Sequence, residues 1–477
     1  MTNVLLLCTD QQRFDALGAA GNPQIHTPHL DRLAAQGAMF KTCYAQSPVC
    51  GPSRASLMTG QYVHAHGLWA NGVGLGADHP LVSRSLADAG YDCGLVGKFH
   101  IGGACIDGRV EPRLDDGFRV FEWAHDPYPG STKNAYHQWL QQQWPERYRL
   151  ALDPDSPLSF DTMPTESHYS HWIAGRTIDY LRNAGHDRPF FFVANFFDPH
   201  HDFGAPEEYT EMYDGAALDP PISRPAELAD KPSVQTSASH ESYAGHARGF
   251  TSYTPDEIQH IKARYYAMVS LVDDEVGRIV DELDDAGLGQ DTLVIFTSDH
   301  GEMLGDHQLL LKGPMMYEGA VRVPLIMRWP ATFEAGTVRS EPVELIDLTA
   351  TILDVAGISA FPGLQGSSLV AMASDPSADA PRDWALCEYR NSGHPYPVPI
   401  HTTMLRNGTD KIVVWHGDPS SARGREGELY DLSVDPQELV NLWDQPAHRD
   451  RQRRLEALLI DVLVDTEDRS REREGYW

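Results

Sequence analysis

The sequence predicts an α/β fold followed by a smaller domain of antiparallel strands, and three features point there. Residues 4–8 and 292–297 read as apolar runs of strand length, and 190–197, interrupted only by Asn195, as the strongest strand signal, the pattern of strands buried on both faces. Before the last of them, residues 255–286 set Ile258, Ile261, Tyr265, Met268, Leu271, Val272, Val276, Ile279 and Val280 on one stripe at helical spacing, which reads as core packing. After Gly357 the character changes. Connecting loops around 361–363 and 374–381 lead to short strand-like segments at 384–389, 402–406, 411–415 and 428–431, and to a closing helix at 449–465. A chain of 477 residues is long for one core, so we divide it into residues 1–365 and 366–477.

Hydrophobic residues make up 41% and charged residues 22%, which fits a globular rather than a disordered protein. The 68 acidic residues outnumber 38 basic ones and give a net charge of −30, repelling nucleic acid and anionic membranes. Neither is an expected partner, whereas a homo-oligomer is left open. An anionic substrate would need a local positive field, supplied by a divalent ion and a few placed cations. The six cysteines, at positions 8, 43, 50, 93, 105 and 387, show no zinc-site or disulfide spacing. Residues 4–8 are too short, and lack the preceding basic residues, for a signal peptide or a membrane span. A reducing, cytoplasmic location is the expectation.

Taken in order, the run 4–8 ends in Thr9-Asp10-Gln11. Asp10 thus lies at a strand's carboxyl end, where open α/β sheets gather their ligands, although by itself it would serve equally as a helix cap. Residues 27–37 read as a capped helix stopped by Gly37, and residues 38–45 as a strand. In Ser47-Pro48-Val49-Cys50-Gly51-Pro52-Ser53-Arg54, a proline suited to a first turn is followed by helix formers and by Gly60 as a stop. This places Cys50 at a helix N-terminus, where unpaired N–H groups favour an anion. Residues 64–72 are loop-like, 83–90 helical, and 91–96 a strand that leads into Gly97-Lys98-Phe99-His100. On extended backbone Lys98 and His100 point to one side and could bind an oxyanion and move a proton, although such residues in isolation are more often solvated.

Residues 103–170 lack periodicity and read as loops covering a site, and 173–184 as a helix. The run 190–197 ends in Asp198-Pro199-His200-His201, and the irregular stretch 203–254 reads as a binding loop or lid. The run 292–297 ends in Ser298-Asp299-His300-Gly301-Glu302. Alone this could be a hydrogen-bonded turn; with Asp10 and Gln11 it makes a donor set hard enough for calcium, magnesium or manganese.

The spacing Cys50-x-Pro52-Ser53-Arg54 resembles the signature of the type I, formylglycine-dependent sulfatases of the alkaline phosphatase superfamily. Gly97-Lys98-x-His100, Pro199-His200, Asp299-His300, the Lys312 segment, and Leu429-Tyr430-Asp431-Leu432 with Asp435 and Pro436 follow in family order over nearly the whole chain. The resemblance implies a large mixed sheet sandwiched by helices, alkaline-phosphatase-like, with a small C-terminal antiparallel-sheet domain. It implies that Cys50 is converted to formylglycine by a maturation enzyme that reads Pro52 and Arg54. The implied catalytic set is Cys50, Arg54, Lys98, His100, His200 and Lys312, with His201 a competitor for the role of His200. One divalent ion, calcium first and manganese or magnesium next, is implied on Asp10, Gln11, Cys50, Asp299 and His300. Gln11 stands where many members have Asp, and His300 where many have Asn. Both replacements resemble the choline sulfatases and phosphonate monoester hydrolases. The implied activity is hydrolysis of a small-molecule or carbohydrate sulfate monoester to an alcohol and sulfate. A phosphonate monoester or phosphodiester hydrolase with the same apparatus is the alternative, and a non-catalytic binding protein the more distant one.

Overall fold

The computed structural model describes residues 2–104, 110–127, 131–152, 161, 163–183, 187–213, 218–417 and 426–468. Asn3–Thr9 (β1) lies inside an eight-stranded sheet with Ala38–Phe40 (β2), Asp92–Gly97 (β3), Val120–Trp123 (β4), Phe190–Asn195 (β5), Thr292–Ser298 (β6), Leu325–Arg328 (β7) and Thr337–Arg339 (β8). The strand order is β8-β2-β7-β6-β1-β5-β3-β4. Strands β6, β1, β5, β3 and β4 are mutually parallel, while β7 runs antiparallel to β6 and β2, so the sheet is mixed.

The three apolar runs of the sequence lie side by side, with Leu6 between Val193 and Ile295. Successive side chains go to opposite layers, which is why the runs had to be apolar throughout. Val4, Leu6 and Cys8 pack in the layer that holds Ala55, Leu57, Leu348 and Ile352, from helices Cys50–Thr59 and Ile346–Ala356. Leu5 and Leu7 pack with Ile173, Leu181, Val272 and Ile279, from helices Tyr169–Asn183 and Pro255–Asp285. The latter opens with a capping box, Thr254 and Glu257 each bonding the other's main chain.

Trp384–Arg390 (β9), His401–Asn407 (β10), Asp410–His416 (β11) and Glu426–Asp431 (β12) form an antiparallel meander. Leu455, Leu459 and Val462 of helix Arg449–Asp465 pack on Leu405, Ile412 and Leu429 from it. A buried ionic knot joins this small sheet to the chain that follows Lys312: Lys411 Nζ lies 3.0 Å and Arg406 Nη1 3.2 Å from Glu318.

Four local expectations change. Residues 38–45 do not make one strand: Ala38–Phe40 pairs with β7, but Cys43–Tyr44 pairs with Arg322–Val323 in a separate three-stranded sheet. The partner chain is itself interrupted at Pro324, which has no N–H to continue a ladder. Thr27 does not cap the Pro28–Gln36 helix with its side chain; the Asp273 carboxylate accepts the first N–H groups instead, from His29 at 3.1 Å and Leu30 at 2.7 Å. Residues 64–72 are not all loop, since Val63–His66 makes one helical turn. Residues 103–170 hold β4 and the helices Ala135–Gln143 and Pro145–Leu152, elements too short to print a period on the sequence. No helix among the described residues is long and apolar enough to cross a membrane.

Candidate active site

Because five neighbouring strands are parallel, their carboxyl ends open on one edge of the sheet, where side chains can converge. Asp10 and Gln11 follow β1, Asp299 and His300 follow β6, Lys98 and His100 follow β3, and His200 follows β5. Cys50 is the first residue of its helix, with Gly60 closing that helix in the left-handed conformation. The sulfur of Cys50 is 3.0 Å from Lys312 Nζ, 3.2 Å from His300 Nε2 and 3.7 Å from Asp10 Oδ1. Lys98 Nζ stands 2.7 Å from Asp10 Oδ2.

Arg54 sits behind this cluster rather than in the cavity. Its Nε donates to Asp299 Oδ2 at 2.8 Å, its Nη2 to Asp10 Oδ2 at 3.2 Å and its Nη1 to the Lys98 carbonyl at 2.9 Å. The guanidinium thus holds two carboxylates, and Arg54 is not among the residues that line the cavity. The Gln11 amide lies between Glu302 and Lys312. The extended geometry expected for Lys98 and His100 does not occur, since His100 has φ 60°. The two still meet at the site because Glu111 accepts the N–H groups of His100 at 2.9 Å and Ile101 at 2.5 Å and fixes the turn.

Lys98, His100, His200, His201 and Lys312 line a cavity of about 570 Å³ with Cys50 at its floor. His200 and His201 both reach it: His200 Nδ1 is bonded to the His201 carbonyl at 2.6 Å, and His201 Nδ1 lies 3.3 Å from Gln11 Nε2. Burial raises the Asp10 carboxyl, yet Lys98 and Lys312 outweigh it and hold Asp10 well below the usual carboxylate range. Asp299 is equally buried, and there burial, with Asp10 beside it, outweighs Arg54 and His300 and pushes the carboxyl up. Burial, with Lys312 beside it, takes His200 down to about 4.

A sulfatase-family sequence model matches residues 2–358, and one described as N-sulphoglucosamine sulphohydrolase, C-terminal, matches residues 305–465. The chain belongs to the sulfatase family. It is 30% identical over 467 residues to an uncharacterized sulfatase, YidJ, of Escherichia coli (strain K12), covering 98% of this chain and 88% of that one. It is 29% identical over 480 residues to an arylsulfatase of Clostridium perfringens, covering 98% and 95%. The crystal structure of a phosphonate monoester hydrolase of Agrobacterium radiobacter matches it with a TM-score of 0.82 at 25% identity, covering 98% and 97%. The protein is a sulfuric ester hydrolase with the fold of this superfamily.

In this sulfatase the donor atoms suit a divalent ion. One ligand atom each from Asp10, Cys50, Asp299 and His300 lies within 4.8 Å of all the others, and all four residues are buried. His300 Nδ1 donates to the Gly301 carbonyl at 2.8 Å, which leaves the Nε2 lone pair for the cluster. Two carboxylates and an imidazole are oxygen and nitrogen donors for one divalent ion.

Glu302, Glu111 and His125 are among the residues of the sulfatase site that were not singled out from the sequence. Glu302 and Glu111 are buried carboxylates that hold main-chain N–H groups around the site. His125 lines the cavity, its ring centroid 4.4 Å from that of His100. It lies two residues past β4 at the ligand-gathering edge, and recognising Val120–Trp123 as a strand would have marked it.

Proposed function

We propose that this sulfatase hydrolyses a sulfate monoester of a small molecule or carbohydrate through the hydrate of a formylglycine made from Cys50. The observation that carries the reading is the position of Cys50 at a helix N-terminus, within 3.0 Å of Lys312 and 3.2 Å of His300. A formylglycine-generating enzyme, with a two-electron oxidant, would oxidise the Cβ of Cys50 to an aldehyde and release its sulfur, and addition of water gives two hydroxyls. A divalent ion held by Asp10, Gln11, Asp299, His300 and residue 50, calcium being our first choice, would supply positive charge and acidify a hydroxyl.

The chain's own groups do the rest. One hydroxyl, having given up its acidified proton to solvent, attacks sulfur, the S–O bond to the alcohol breaks, and His200 passes a proton to the departing oxygen. The ester's negative charge, lying between Lys98, His200 and Lys312, favours the protonated ring that this step requires. Lys98 and Lys312 bind the sulfonyl oxygens, and Arg54 keeps Asp10 and Asp299 oriented. His100 then takes the proton of the second hydroxyl, the C–O bond to sulfate breaks, and the aldehyde returns.

The test is peptide mass spectrometry of Cys50 after coexpression with a maturation enzyme, followed by assays on 4-nitrophenyl sulfate and on a phenyl phosphonate monoester. Full sulfatase activity with an unmodified thiol would refute the mechanism. The second reading, a phosphonate monoester hydrolase, is favoured by Gln11 and His300 and by the likeness to the Agrobacterium radiobacter enzyme. Higher kcat/KM on the phosphonate would establish it.

A further inference from the structure

Glu302 is wholly buried three residues past Asp299, and its carboxylate is surrounded by donors. Oε1 accepts the main-chain N–H groups of Leu304 at 3.0 Å and Leu311 at 2.5 Å, and Oε2 accepts the Nε2 of Gln11. His201 Nδ1 is a longer second partner of that Nε2, at 3.3 Å. On its other side Gln11 Oε1 accepts Lys312 Nζ at 2.7 Å, and the same Nζ stands 3.0 Å from Cys50 Sγ and 3.1 Å from His300 Nε2.

A lysine ammonium can only donate, so it fixes the amide oxygen of Gln11 toward itself and the NH₂ toward Glu302. An amide at position 11 has two orientations, where a carboxylate would have none. The flipped one would turn an NH₂ toward Lys312 and toward any cation held by Asp10 and Asp299. Glu302 also shapes the chain that carries the lysine. Leu304 and Leu311 both take positive φ, 50° and 63°, which bulky residues adopt only when held there. Their N–H groups are held by Oε1, and Lys312 is the next residue after Leu311.

We propose that Glu302 is a positioning residue that locks the Gln11 amide and the root of Lys312, so that the amide oxygen faces the divalent-cation site. This rests on the metal-dependent sulfatase reading above.

The experiment measures Mn²⁺ binding by calorimetry and kcat/KM on 4-nitrophenyl sulfate, for wild type, Glu302→Gln and the exchange Gln11→Glu/Glu302→Gln. In Glu302→Gln, once the new amide's oxygen takes the Leu304 and Leu311 N–H groups, its NH₂ confronts that of Gln11. Mn²⁺ affinity and kcat/KM should each fall about tenfold to a hundredfold, the usual effect of losing such a partner. In the exchange every donor again meets an acceptor: the amide at position 302 donates to the carboxylate at position 11, whose other oxygen accepts Lys312. Both quantities should return to within about threefold of wild type, since the paired changes are strongly coupled.

Wild-type Mn²⁺ affinity in Glu302→Gln, or an exchange no better than the single change, would overturn the proposal while leaving the sulfatase reading intact. If the single variant does not fold, an exchange that folds and binds Mn²⁺ supports the proposal, and an exchange that also fails to fold overturns it. Wild-type protein that binds no Mn²⁺ and does not cleave 4-nitrophenyl sulfate would overturn both readings together.

Discussion

Replacing Arg54 by methionine should destabilise the protein even before any cysteine is converted, because the guanidinium holds two buried carboxylates at once. Removing one partner of a buried ion pair costs about 3 to 5 kcal/mol, most of it from the charge left behind. Asp10 keeps Lys98 at 2.7 Å, so the burden falls on Asp299, which retains only the N–H groups of Gln11 at 3.1 Å and His300 at 2.9 Å. The lower half of that range, about 3 to 4 kcal/mol, is therefore expected. With an unfolding entropy near 2.1 cal/mol/K per residue, a chain of this length has about 1 kcal/mol/K, so Tm should fall by about 3 to 4 °C. The assay is calorimetric melting of chain made without a maturation enzyme, which separates this effect from any role of Arg54 in conversion. Adding Asp299→Asn to Arg54→Met removes the stranded charge and should recover part of the loss, a coupling that a double-mutant cycle reads directly. A Tm unchanged by Arg54→Met, or strictly additive losses in the double variant, would refute the reasoning.

Asp299→Asn alone turns an amide toward the Arg54 Nε that now donates at 2.8 Å, and bound metal measured by elemental analysis should drop together with turnover, by on the order of a hundredfold. Unchanged metal content would remove Asp299 from the ligand set. Lys98→Ala should reduce kcat/KM for sulfate monoesters about tenfold to a hundredfold more than for phosphonate monoesters, which have one oxygen fewer to bind. Equal losses on both would favour the phosphonate reading. Away from the site, burial lowers the His64 pKa, but Glu388 Oε2 at 2.7 Å and the Thr466 carbonyl at 2.8 Å outweigh it and raise the group above its ordinary value. Its contribution to stability is thus complete below about pH 6.5 and is lost as pH rises through the raised value. Melting scans should show that decline in the wild type, and His64→Gln should flatten it.

The parts of this enzyme that were legible in its sequence are those whose physics is local. Three strands buried on both faces had to be apolar throughout, and their polar tails, Asp10, His200 and Asp299, had to appear at the ligand-gathering edge of a parallel sheet. The Cys50 helix was marked by a proline, good helix formers and a glycine stop within its own eleven residues, 50–60. What escaped depends on residues distant in sequence or on backbone that no periodicity records. Asp273 caps a helix that begins 245 positions earlier, at Pro28, and nothing near Thr27 announces it. His100 reaches the cavity through a left-handed turn held by Glu111, although the alternation of an extended strand had suggested the same residue for another reason. Arg54 carried the right charge in the right motif, but only the fold shows that the charge is directed at Asp10 and Asp299 from behind the cavity. Glu302 looked like the end of a turn because its acceptor role exists only once Leu304 and Leu311 bend the chain back over it. The motif thus marks the atoms at the cavity floor, while the carboxylates that hold those atoms in place become visible only when strands and loops are assembled.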